Sequence, residues 1–62
     1  MKNYELSKND KGLYDLYFFD EEFKVWEYIK SYNAKETTIK EIYDFVKSNN
    51  KLNQQIKITF TF

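Results

Sequence analysis

Sixty-two residues carry ten lysines balanced by ten carboxylates, 21% aromatic side chains, and neither cysteine nor histidine. A chain this short reads as one domain, residues 1–62, and buries only roughly 60% of the surface its unfolded form exposes. Disulfides and a structural zinc site are excluded as supports, and the commonest general base and the best nucleophile are missing; dense aromatic packing and self-association are what remain.

Tyr4 to Lys8 reads as a short strand, with Tyr4 and Leu6 on one side and Glu5 and Ser7 on the other. Asn9-Asp10-Lys11-Gly12 follows, a run of turn formers ending in the chain's single glycine, and LYDLYFF begins at once. This predicts a β-hairpin. Alternation along the second strand sets Tyr14, Leu16 and Phe18 on one face and Leu13, Asp15, Tyr17 and Phe19 on the other. Both faces are aromatic, so one is core and the other needs different cover.

Asp20 stands where a helix cap would, with Glu21 and Glu22 in the first turn, where the helix dipole favours negative charge. At about 100° per residue, Val25, Trp26, Ile29 and Tyr32 form one stripe, with Lys24, Glu27 and Ser31 opposite and Phe23 and Tyr28 at its margins. Asn33 to Thr37 breaks the pattern. Thr38-x-x-Glu41 is a capping box before a second periodic run, in which Ile39, Ile42, Val46 and the flanking Tyr43 and Phe45 share a side. This helix is expected to end near Ser48–Asn50 with a left-handed asparagine cap, and residues 51–54 to form a loop. QQIKITFTF then alternates strictly and predicts a strand running to the last residue.

The expected fold is α+β with order ββααβ: a three-stranded, mainly antiparallel sheet with two helices packed on one face. Sequential neighbours usually pair, which favours strand order 1-2-3 over 2-1-3. The helices would then cover Tyr4, Leu6, Tyr14, Leu16, Phe18, Ile56, Ile58 and Phe60.

Little in the sequence supports catalysis. Asp20-Glu21-Glu22 is explained as a cap with its dipole complement, Ser7, Ser31 and Ser48 have no evident activating partner, and no phosphate-binding loop occurs. No catalytic, metal or cofactor residues are expected, and no enzyme activity. TTIKEIYDFVKSNN has the general look of a helix-turn-helix segment, which makes a small DNA-binding transcription regulator the alternative function. Its outer side mixes Lys40 and Lys47 with Glu41 and Asp44, a poor phosphate-facing surface, and no arginine is present to read guanine. Nucleic acid is therefore disfavoured as a partner.

The surface left for recognition is the second face of the hairpin. Leu13, Asp15, Tyr17 and Phe19, with Phe23 and Tyr28 at the helix margins, are the candidate protein-contact residues, aromatics inside a polar rim. Residues 1–27 hold seven acids against four lysines (net −3) and residues 28–62 six lysines against three acids (net +3), so the chain is dipolar rather than basic. Abundant Asn, Ile, Phe, Tyr and Lys, with no proline or arginine, match an AT-rich genome. The N-terminus has no signal-peptide run and no segment has the length of a membrane span, so a cytoplasmic location is expected. Together these features make the expected function a small non-enzymatic protein-binding module, a phage- or mobile-element-encoded inhibitor of a host protein of the anti-defence or anti-CRISPR kind. A homodimer through the sheet is a second possible partnership.

Overall fold

A computed structural model describes residues 2–50 and 55–62. Five elements follow in order: β1 (Lys2–Lys8), β2 (Leu13–Asp20), β3 (Val25–Asn33), α1 (Ile39–Ser48) and β4 (Ile56–Thr61). The strands form one four-stranded mixed sheet in the order β3-β2-β1-β4, antiparallel from β3 through β1 and parallel between β1 and β4.

This corrects the expected three-stranded, two-helix architecture. The segment predicted as the first helix is β3, and the N- and C-terminal strands are neighbours, so the three anticipated strands take the order 2-1-3. Each misleading signal has a physical source. The Asp20 side chain does accept backbone N–H bonds, from Glu22 at 2.9 Å and Phe23 at 3.3 Å, but these close a hairpin turn and not a helix end; acidic side chains serve both. Lys24 completes the reversal at φ 58°, and the chain returns along β2.

The helical spacing of the apolar residues comes from a bulge. Leu16 pairs with Lys30 and Tyr17 with Tyr28, leaving Ile29 as an extra residue in β3. One inserted residue shifts the phase of a period-two pattern, so Val25, Ile29 and Tyr32 mimic a helix stripe. Composition decides against the helix. Val25, Trp26, Tyr28, Ile29, Ser31, Tyr32 and Asn33 are each poorer than alanine in a helix, together by roughly 3–4 kcal/mol, whereas a strand here supplies β2 with a second hydrogen-bonded neighbour.

The hairpin between β1 and β2 follows its sequence closely. Asn9 Oδ1 accepts from the amides of Lys11 (2.8 Å) and Leu13 (3.1 Å), and Gly12 adopts φ 77°, open to glycine without strain. Thr38 caps α1, its hydroxyl accepting from Glu41 N–H at 3.2 Å. The C-cap differs from the expected left-handed form: Asn49 is right-handed at φ −89° and bonds the Phe45 carbonyl through its own side chain at 2.8 Å. The loop expected over 51–54 lies outside the described residues.

The helix lies across one face of the sheet. Ile42 and Val46 pack against Tyr4, Leu6 and Leu16, with Tyr14, Phe18, Tyr32, Ile56 and Ile58 around them. Its ten residues are too few to roof the whole sheet, and Phe60, expected under helical cover, is 47% exposed. With a single helix among the described residues, the helix pair that a helix-turn-helix reading needs is absent.

Candidate functional site: the uncovered face of the sheet

The β1–β2 register sets Tyr4, Leu6 and their partners Phe18 and Leu16 toward the helix. Residues between them therefore point the other way. On the β2–β3 half of that second face the cross-strand partners run Leu13–Asn33, Asp15–Ser31, Tyr17–Tyr28 and Phe19–Trp26. No second layer covers this face among the described residues.

Two of those pairs are aromatic contacts. The Tyr17 and Tyr28 rings meet edge-on with centroids 5.8 Å apart, and the Phe19 and Trp26 rings are tilted at 5.1 Å. Such pairs add about 0.5–1.5 kcal/mol beyond area burial, enough to hold the rings in place but not to hide them. Trp26 remains 48% and Tyr28 58% exposed, and Phe23 projects from the turn between β2 and β3 at the Phe19–Trp26 end.

A polar relay borders the rings. Ser31 Oγ donates to Asp15 Oδ1 at 2.6 Å, and Asn9 Nδ2 donates to the same carboxylate, 3.2 Å from Oδ2. Since the Ser31 proton is given to Asp15, the Tyr28 hydroxyl, 2.5 Å from Ser31 Oγ, is the donor in that contact. The relay ties the Tyr28 ring, through two side chains, to the β1–β2 turn. Asp15 thus anchors the site rather than offering a free acceptor to a ligand.

The β1–β4 half of the same face is polar: Asn3, Glu5 and Ser7 lie beside Lys57, Thr59 and Thr61. An aromatic strip bordered on one side by hydroxyls and opposite charges has the composition of a protein contact, apolar at its centre and polar at its rim.

Of the six residues singled out in the sequence, Leu13, Asp15, Tyr17, Phe19 and Tyr28 lie together on this face, while Phe23 sits in the adjoining turn. Trp26 was missed because a helical reading assigned it to the core. Its i, i+2 relation to Tyr28, both aromatic and separated by Glu27, is the strand signal that would have found it.

Among the described residues no group of three or more Asp or Glu side chains is arranged to hold a metal ion, and no helix is long and apolar enough to cross a membrane. Burial raises the Tyr4 and Tyr32 hydroxyls above the usual tyrosine range, and both belong to the helix side of the sheet. No family model, curated protein or solved structure matches the chain.

Proposed function

We propose that the protein is a small non-enzymatic binding module that docks a partner protein against the strip formed by Tyr17, Phe19, Trp26 and Tyr28. The observation that supports this most is the pairing of rings across β2 and β3 on a face with no second layer. Large rigid aromatics with few rotatable bonds are the usual anchors of protein contacts, and here they are oriented before any partner arrives. The narrower proposal, a phage- or mobile-element-encoded inhibitor acting on a host protein in the cytoplasm, draws its support from small size and codon-biased composition alone.

Nucleic-acid stacking on the same rings is opposed by Asp15 and Glu5, which lie on this face where phosphates would pass. Titration with a fluorescent oligothymidine should show no binding in the micromolar range at physiological salt; tight, salt-dependent binding would replace the protein-docking reading.

The deciding experiment compares affinity with stability. Once the protein that co-purifies with a tagged chain is identified, Tyr17→Ala and Trp26→Ala should each weaken its binding at least tenfold, as anchor truncations of about 2 kcal/mol do, while folding stability falls only by about the 0.5–1.5 kcal/mol of the lost ring pair. Leu16→Ala is the contrast. Leu16 is fully buried, and its truncation should destabilise by about 2–5 kcal/mol. A partner retained unchanged by both aromatic variants removes the strip as the binding surface.

A further inference from the structure

We infer that the free edge of β4 pairs antiparallel with the same edge of a second copy, joining two four-stranded sheets into one of eight. The sheet has two edges, β3 and β4, and they are not equally open. β3 carries the devices that discourage edge pairing: a bulge at Ile29 with Lys30 directly beside it. β4 is regular and reads IKITFT, without proline, glycine or bulge and with one charge.

The direction of the backbone groups on β4 can be worked out. The Lys2 amide donates to the Gln55 carbonyl at 2.9 Å, so Gln55 turns its polar groups toward β1. In a strand these groups alternate sides, and Lys57, Thr59 and Thr61 follow Gln55. Ile56, Ile58 and Phe60 therefore present their N–H and C=O groups outward, unpaired among the described residues.

The side chains favour a second copy as the occupant. A two-fold axis at Ile58 sets Ile58 against its own mate and Ile56 against Phe60, so each outward N–H and C=O in both chains meets a counterpart. The same arrangement puts Lys57 opposite Thr59, whereas a shift centred on Lys57 would oppose two lysines. Phe60, 47% exposed, gains Ile56 of the second copy as an apolar neighbour on the helix side. An isologous contact of this kind closes on itself and stops at two. It also leaves the aromatic strip free, because that strip is built on β2 and β3 at the far side of the sheet.

Sedimentation of the intact chain tests this. From micromolar to millimolar concentration the mass should rise from 7.7 kDa toward twice that value; a strict monomer throughout overturns the inference. Phe60→Pro deletes one outward N–H while sparing the ladder to β1, and should abolish the dimer with an unchanged far-ultraviolet spectrum. A folded Phe60→Pro that still dimerises places the contact elsewhere and also overturns it. Should that variant fail to fold, hydrogen exchange on the unmodified chain decides. The Ile58 and Phe60 amides should gain protection as concentration rises, and protection independent of concentration refutes β4 pairing.

Discussion

Tyr32 shows how one atom can work against its own side chain. Its ring helps close the core beside Tyr14, meets Phe45 edge-on at 6.2 Å and lies under the Lys30 ammonium, 5.0 Å from the ring centre. Its hydroxyl is buried without a hydrogen-bond partner among the described residues, a condition that costs about 1–3 kcal/mol. Tyr32→Phe keeps the ring contacts and removes the orphan, so the urea midpoint should hold or rise. The same burial dictates alkaline behaviour. Tyr4 and Tyr32 titrate higher folded than unfolded, so above about pH 10 the unfolded chain loses protons that the folded chain keeps. Their contribution is complete below that pH and disappears as pH rises through the folded values. Stability measured from pH 8 to 11 should fall above 10, and the fall should be smaller in Tyr32→Phe.

The turn between β2 and β3 decides whether residues 25–33 form a strand. Lys24 holds φ 58° without glycine's freedom, a conformation costing an L-residue about 1–2 kcal/mol. Lys24→Gly should therefore raise the denaturation midpoint, offset in part by the entropy glycine adds to the unfolded chain. Asp20→Ala, which removes the acceptor for the Glu22 and Phe23 amides, should lower it by about 1 kcal/mol. Equal midpoints in both variants would mean that the turn follows the strands instead of directing them. The first hairpin and the capped helix were legible because Gly12 and Thr38 each have one structural use in their setting. Residues 20–32 were not, because an aspartate before two glutamates serves a turn as well as a cap, and Ile29 put a strand out of phase. The uncovered face was readable for β2, where alternation is unbroken, and was missed for Trp26, whose alternation with Tyr28 is cut off after one repeat by the bulge at Ile29.

At the scale of the whole molecule the stability rests on few residues. Tyr4, Leu6, Leu16, Ile42 and Val46 are the buried apolar set, drawn from β1, β2 and α1, while β4 contributes only half-buried side chains. Contacts within the β1–β2–β3 meander span short stretches of chain. Those between β1 and β4 join Lys2 to Ile56, and closing so long a loop is entropically dear and slow. β4 should therefore join after the rate-limiting step. Ile58→Ala should accelerate unfolding roughly tenfold for each 1.4 kcal/mol it removes and leave refolding nearly unchanged, as stopped-flow chevrons would show. A refolding rate that falls in proportion would put β4 in the nucleus.

The parallel pairing of β1 with β4 also governs how the protein is made. Of the four described strands β1 is synthesised first and β4 last, yet they are hydrogen-bonded neighbours. During translation the meander must wait with the edge of β1 bare, its amides open to whatever extended chain is nearby. Only when residues 56–61 leave the ribosome can that edge close. A chain cut between Asn33 and Ile56 thus keeps the meander but leaves β1 exposed as a sheet edge, open to pairing with other extended chains, so β4 in effect proofreads the three strands made before it.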